Sequence, residues 1–186
     1  AALSRKNNEL VYSRYNKKRN IDNNTIVHGM SMSKTALSTA IGSLLCDGKI
    51  ASLNDDIGKY SPSLAKTPFA KVSIKNTLQM NSGVEPIKSD YKFRRKQNRI
   101  AQGMGKHEGK ADVLKAISLL KGNDREQGSK HFYNSSDPFA LSILISDITN
   151  KPASEIFYEN AYKKFNKNDF MHWLSDKNGV SVAQAR

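Results

Sequence analysis

The sequence carries a serine and a lysine at a spacing that suits nucleophilic catalysis. Ser31 and Lys34 are three residues apart, so on a helix they would share one face. A serine hydroxyl becomes an effective nucleophile when a neighbouring group takes its proton. The Ser-x-x-Lys pattern occurs four times, beginning at Ser31, Ser63, Ser89 and Ser118. That number is close to chance in so lysine-rich a chain, so the pattern alone selects no site.

Position along the chain favours Ser31 among the four serines. Ser63 lies in a proline-flanked loop, Ser89 in a basic loop, and Ser118 in the last turn of a predicted helix. Ser31 stands where a strand-like stretch gives way to a long helical pattern, at the positive end of a helix that favours an oxyanion. A lysine in a first helical turn is electrostatically disfavoured, which predicts Lys34 as the base that activates Ser31. A plain N-cap serine with an exposed lysine is the alternative.

A Ser/Lys pair also needs a group that carries the proton to the leaving group. His131 and Tyr133 lie in a loop just before a helical pattern. For Tyr133 by itself a core aromatic residue is the simpler interpretation, and a proton carrier is the alternative. The other histidines, His28, His107 and His172, have no neighbours at metal-ligand spacing. We therefore expect neither a metal site nor a cofactor.

Hydrophobic periodicity predicts the elements that hold these residues. Weak alternation predicts strands at 9–15 and 25–30 that form a hairpin, and helical spacing predicts a long helix from Ser31 to Gly48. Further helices are predicted at 111–120, from Asp137 as N-cap onward, and at 152–165. Residues 72–80 are predicted as a short helix or turn, and 84–110 as the least ordered part. Because a two-stranded hairpin is marginal alone, we expect the chain to be a fragment that lacks further strands.

Composition limits the classes of partner. Lys and Arg number 30 against 17 Asp and Glu, a net charge of +13, which would suit nucleic acid, anionic lipid or cell-wall polymers. The basic runs at 92–99 and 17–19 lack interleaved aromatic residues, so nucleic acid is not expected, and solvated loops are the simpler interpretation. No apolar run approaches the roughly 20 residues of a membrane span. Cys46, the only cysteine, excludes an internal disulfide and is predicted to lie in the core.

Several ordered stretches resemble one known family. HGMSMSKTALSTAIGSLLCDGKIASLNDDIGKYSPSL, VSIKNTLQMNSGVE and HFYNSSDPFALSILISDITNKP resemble, in order and spacing, motifs of the serine hydrolases related to class C β-lactamases and penicillin-binding proteins. HWLSDKNGV is similar to a Trp-centred segment of the branch that includes 6-aminohexanoate-dimer hydrolases and related esterases. The resemblance covers most of residues 9–180.

The resemblance implies an α/β fold of the β-lactamase/transpeptidase type. Residues 1–186 would form part of one domain, with a strand hairpin at 1–30 and a mainly helical region at 31–186, and the C-terminal strands of the sheet would be missing. The third motif of the family, a Lys/His-Thr-Gly strand, is expected beyond Arg186. The resemblance also favours the periplasm or cell envelope.

The resemblance further implies roles for single residues. Ser31 would be acylated, Lys34 would activate it, and Tyr133 would act as general base and acid. Ser135 occupies the third position of the family's Tyr-x-Asn motif and would contact substrate. The substrate would be a small amide, ester or lactam, and the surface charge would suit an anionic cell-envelope surface. A non-catalytic, penicillin-binding-like ligand-binding or sensor module is the alternative.

Overall fold

The sheet of the protein is an N-terminal hairpin. The computed structural model describes residues 2–7, 9–22, 24–26, 29–87, 95–165 and 171–182. Strand β1 (Ala2–Lys6) pairs antiparallel with strand β2 (Glu9–Arg14), and β2 is exposed along its whole length. Asn7, which follows β1, has a φ of 50°. Asparagine tolerates this left-handed conformation better than most residues, which suits a tight turn.

The predicted hairpin of strands 9–15 and 25–30 was wrong. Strand β2 does form, but its partner is β1, and Thr25, Ile26, Gly29 and Met30 belong to no strand. Val27 and His28 lie outside the described residues. A short apolar run such as TIVHGM cannot be assigned by periodicity alone. The Asn-Asn pair at 7–8 was the turn signal that the sequence analysis missed.

Helices make up most of the remaining ordered structure. A 3₁₀ turn (Met30–Met32) leads into α1 (Ser33–Cys46). There follow α2 (Ile74–Leu78), α3 (Arg95–Gln102), α4 (Val113–Ser118), α5 (Ser136–Thr149), α6 (Ala153–Phe157), a π-helical turn (Tyr158–Tyr162) and α7 (Lys163–Phe165). The helices predicted from residues 31, 111, 137 and 152 are therefore confirmed, and the short helix or turn predicted at 72–80 contains the helix α2.

Helix α3 falls within 84–110, the part of the chain that was expected to be the least ordered. Ile100 and Ala101 are almost fully buried against the core, so two apolar residues anchor an otherwise polar helix. Residues 88–94, with part of the basic run at 92–99, lie outside the described residues.

The core lies between α1 and α5. Leu37, Ile41 and Leu44 of α1 and Phe139 and Leu144 of α5 are buried in one apolar cluster. Burial of each such side chain contributes roughly 1.5–3 kcal/mol. Helix α5 also contacts α2, α4 and α6, so its position is fixed from several sides. The packing of α1 against α5 places the residues just before each helix close together.

Two further sequence expectations meet the structure here. Cys46 is exposed at the end of α1, so its predicted place in the core was wrong; the apolar stripe of that helix ends one residue earlier. Among the described residues, no helix is long and apolar enough to cross a bilayer.

Candidate active site

Ser31 is presented at the start of α1 by a strained turn. The regular α-helix begins at Ser33, and Ser31 lies in the preceding 3₁₀ turn. Met30, directly before it, has a φ of 46°, a left-handed conformation that costs an ordinary residue roughly 1–2 kcal/mol. The Ser33 hydroxyl donates to the Met30 carbonyl oxygen at 3.2 Å and helps to hold this turn. The Ser31 side chain is exposed as a result.

The three predicted catalytic residues meet in the structure. The Tyr133 hydroxyl donates to the Ser31 oxygen at 2.5 Å. The Lys34 ammonium donates to the same oxygen at 3.3 Å and lies 5.2 Å from the centre of the Tyr133 ring. Lys34, at helical spacing from Ser31, and Tyr133, in the loop before α5, therefore both contact the Ser31 oxygen.

The surroundings of Tyr133 make its phenol more acidic. Its hydrogen bond with Ser31 is the largest influence and lowers the pKa of Tyr133. Partial burial opposes this change, while the hydrogen bond and positive charge of Lys34 lower the pKa further. The ring is 55% exposed, so solvent screens these effects. The lowered pKa makes the phenolate, the form of tyrosine that accepts a proton, easier to form.

Among the described residues, the pairs that begin at Ser63 and Ser118 lack such an arrangement. The Ser63 hydroxyl donates to the carboxylate of Asp147 at 2.9 Å, and the Ser118 hydroxyl donates to the carbonyl oxygen of Leu114 at 2.9 Å. Ser89 lies outside the described residues. Position on the helix and contact with Tyr133 thus distinguish Ser31 from Ser63 and Ser118.

Ser135, the predicted substrate contact, is placed differently. It is 7% exposed and occupies the N-cap position of α5. Its neighbour Asn134 is also buried, and the Asn134 amide donates to the Phe132 carbonyl oxygen at 2.7 Å. The structure therefore does not bring the Ser135 side chain to the exposed surface around Ser31.

Asp137 is not the N-cap that the sequence predicted. Helix α5 begins one residue earlier, at Ser136, and the Asp137 carboxyl group is fully buried in its first turn. The Ser82 hydroxyl donates to Asp137 Oδ1 at 2.6 Å. Burial raises the pKa of Asp137 to about 6, against the opposing effects of its hydrogen bonds. The sequence analysis predicted no role for Ser82 and missed this contact, which spans 55 positions.

Among the described residues, no group of three or more His, Cys, Asp or Glu side chains is arranged to hold a metal ion.

Comparison with known proteins identifies the family. The family model described as Beta-lactamase matches residues 1–179, nearly the whole chain. The chain belongs to the Beta-lactamase family.

Individual relatives agree with this assignment. The chain is 27% identical over 133 residues to a protein of Escherichia coli (strain K12) named "Putative D-alanyl-D-alanine carboxypeptidase", a match that covers 69% of this chain and 29% of the relative. The chain thus spans less than a third of the curated relative that it matches.

Solved structures show the same fold. A "Putative 6-aminohexanoate-dimer hydrolase" from Bacillus anthracis superposes on 98% of this chain and 48% of its own, with a TM-score of 0.73 at 21% identity. A D-stereospecific amidohydrolase from Streptomyces sp. matches 74% of this chain and 42% of its own, with a TM-score of 0.61 at 17% identity. The predicted β-lactamase/transpeptidase-like fold is confirmed, and the chain corresponds to about half of these structures.

Proposed function

We propose that this chain carries the nucleophile site of a serine hydrolase that cleaves an amide or ester bond through an acyl-enzyme on Ser31. One observation carries the proposal: the Ser31 oxygen lies within hydrogen-bonding distance of both Tyr133 and Lys34. A nucleophile next to a base that is itself held by a third group is the general arrangement of covalent hydrolases.

In the acylation step, the Ser31 oxygen attacks the carbonyl carbon of the substrate. Its proton passes to the Tyr133 phenolate, whose lowered pKa favours the proton-accepting form. The Lys34 ammonium stabilises the negative charge on the pair of oxygens. The carbonyl oxygen becomes an oxyanion, a negative charge that the positive end of the helix next to Ser31 favours.

Collapse of this intermediate releases the leaving group. The bond from the carbonyl carbon to the amine nitrogen or alkoxide oxygen breaks, and Tyr133 returns the proton to that atom. In the second half, a water molecule gives a proton to Tyr133 and attacks the acyl carbon. The acid product leaves, and Ser31 regains its proton from Tyr133.

We propose the substrate, and the surface that the protein would meet, by their chemical class. A small amide, ester or lactam fits a site that is open to solvent at Ser31 and Tyr133. The exposed basic residues at 17–19 and the net charge of +13 would favour an anionic surface in the cell envelope. Ser135 is kept as a candidate substrate contact, which would require a rearrangement of the buried loop.

Covalent labelling tests the proposal. We expect a fluorescent penicillin or phosphonate ester to attach to the chain and to raise its intact mass by one probe adduct. Ser31→Ala should abolish labelling because it removes the attacking oxygen. Ser118→Ala, a serine of another Ser-x-x-Lys pair, is the matched control and should be labelled at the wild-type rate.

Two results would contradict the proposal. Labelling that persists in Ser31→Ala would place the nucleophile elsewhere. A folded wild-type chain that binds the probe reversibly without any mass increase would favour the alternative, a ligand-binding or sensor module.

A further inference from the structure

The loop that carries Tyr133 is tied to the turn that follows α2. The Phe132 backbone N–H donates to the carbonyl oxygen of Met80 at 2.8 Å. The His131 Nδ1 atom lies 2.9 Å from the carbonyl oxygen of Gln79. These hydrogen bonds hold the chain on the N-terminal side of Tyr133. The C-terminal side of the loop needs contacts of its own to be held.

On the far side, Asn134 and Asp137 complete the attachment. The Asn134 amide donates to the Phe132 carbonyl oxygen at 2.7 Å, and its Oδ1 accepts the Asp137 backbone N–H at 2.9 Å. Tyr133 therefore lies between Phe132 and Asn134, which are bonded to each other. Asn134 is also bonded to the first turn of α5. Any movement of that turn would move the Tyr133 ring.

The first turn of α5 is in turn held by Ser82. The Ser82 hydroxyl donates to Asp137 Oδ1 at 2.6 Å, a distance typical of a charge-assisted hydrogen bond, and accepts the Val84 backbone N–H at 3.2 Å. Both side chains are almost fully buried. Among the described residues, Asp137 Oδ2 has no hydrogen-bond partner.

A buried carboxylate with one unpartnered oxygen is unfavourable for folding. A carboxylate in the first turn of a helix is stabilised by the helix dipole. An exposed carboxylate would have the same stabilisation without the free-energy cost of burial. The sites where proteins retain such unfavourable groups are often functional. Here the group sits at the point that fixes the loop of Tyr133.

We propose that Ser82 and Asp137 are positioning residues whose buried hydrogen bond holds the Tyr133 hydroxyl against Ser31. The inference rests on the proposed function, since it gives Ser82 and Asp137 a part in the same reaction. Neither residue touches the reacting atoms; both act through Asn134 and the first turn of α5.

The test combines Ser82→Ala with two readouts, one of which needs no chemistry. The first is the pKa of Tyr133, measured from the ¹³Cζ shift in an NMR titration and assigned with Tyr133→Phe. The second is the rate of acylation by the penicillin or phosphonate probe. Ser142→Ala is the matched control, because Ser142 is a fully buried serine of α5 whose hydroxyl has no partner among the described residues.

We expect Ser82→Ala to raise the pKa of Tyr133 toward its ordinary value of about 10, because the phenol drifts from Ser31 and Lys34. Acylation should slow by at least about tenfold, since a misplaced proton acceptor loses most of its effect. Ser142→Ala should change neither quantity. Asp137→Asn, which keeps the shape but removes the charge, should act in the same direction, and combining it with Ser82→Ala should add little because both act through one bond.

Each outcome decides the question. If Ser82→Ala leaves the pKa of Tyr133 at its wild-type value, or changes it no more than Ser142→Ala does, the positioning role is wrong. If the wild-type chain is never acylated, the proposed function fails, and the pKa of Tyr133 in Ser82→Ala still decides whether Ser82 and Asp137 position this ring.

Discussion

The hydroxyl groups of Ser31 and Tyr133 differ in acidity, and the difference sets the direction of proton transfer between them. A phenol has an ordinary pKa of about 10, far below that of an aliphatic alcohol. Once Tyr133 has ionised, the proton that its oxygen shares with the Ser31 oxygen therefore stays on Ser31. Their 2.5 Å separation makes transfer possible without movement of either chain segment. The hydrogen bond with Ser31 lowers the pKa of Tyr133 most, and the nearby ammonium of Lys34 lowers it further.

Removal of the Lys34 charge should move the pH profile of the reaction. The hydrogen bond and charge of Lys34 both lower the pKa of Tyr133. Because the active form is the deprotonated one, acylation should rise with pH and level off above the pKa of Tyr133. In Lys34→Met that rise should shift to higher pH, because the pKa of Tyr133 loses two of the influences that lower it. Acylation rates of the probe, measured from pH 6 to pH 11, would show the shift.

Lys34→Arg serves as the control for this profile. Arginine keeps the charge but not the geometry of the ammonium, so the rate should fall while the midpoint stays near that of the wild type. A Lys34→Met profile that is merely lower, with an unmoved midpoint, would show that Lys34 does not act through Tyr133.

At the residue scale, the sequence predicted the site where the chemistry depends on local spacing. Ser31 and Lys34 are set by helical periodicity, whereas the role predicted for Tyr133 came from the family resemblance of the loop that precedes α5. The pairing of Ser82 with Asp137 could not be predicted, because it depends on how the turn after α2 meets α5. Asp137 looked like an N-cap since an acid before proline at a helix start usually is one.

At the scale of elements, the turn at Gly83 explains why a glycine follows Ser82. Gly83 has a φ of 75°, and a Cβ built there would lie 2.2 Å from the carbonyl oxygen of Arg125. The backbone N–H groups of Asp124 and Arg125 both donate to the Gly83 carbonyl oxygen, at 2.8 and 3.2 Å. The segment at 123–128 therefore packs directly on this glycine and closes the turn that holds Ser82.

Gly83→Ala should destabilise the protein more than its backbone conformation alone requires. The left-handed φ costs roughly 1–2 kcal/mol for alanine, and the clash with Arg125 should add about 1–3 kcal/mol. Gly48→Ala is the control, since Gly48 has a φ of 71° with no atom within 4 Å of an added Cβ. Urea unfolding of both variants would separate the cost of the left-handed backbone conformation from the cost of the clash with Arg125. Equal losses would mean that the contact with Arg125 is unimportant.

The elements themselves were predictable to different degrees. Helices with a clear apolar stripe and a stop signal, such as α1 and α4, were found within a few residues. Strand β1 was missed because ALSRK carries no convincing alternation, and its pairing with β2 depends on the turn at Asn7. Local pattern thus predicts helices that pack on a core better than strands that pair only with each other.

At the scale of the whole molecule, one buried acid links the active site to overall stability. Burial raises the pKa of Asp137 from 3.8 to about 6. Between these values the folded chain binds a proton that the unfolded chain has released. By linkage, the free energy of unfolding falls as the pH rises through this window, and the loss is complete once both forms are ionised.

The stability difference between the wild type and Asp137→Asn should therefore depend on pH. Linkage predicts that this one group lowers the free energy of unfolding by about 1.5 kcal/mol between pH 5 and pH 8, a change that the variant lacks.

Asp112→Asn is the control: the pKa of Asp112 is lowered, with burial opposing its hydrogen bonds to the Lys115 backbone and to Lys177, so it is ionised in both states above pH 5. Asparagine caps a helix about as well as aspartate, so this variant loses mainly the ion pair with the exposed Lys177, and its cost should be about 1 kcal/mol or less and nearly the same at every pH in the range. Urea unfolding at pH 5, 6, 7 and 8 measures both differences, and subtraction removes the titration of the histidines that all the chains share. A constant difference for Asp137→Asn would show that its carboxyl group ionises as it does in water, and the buried bond with Ser82 would then lose its electrostatic basis.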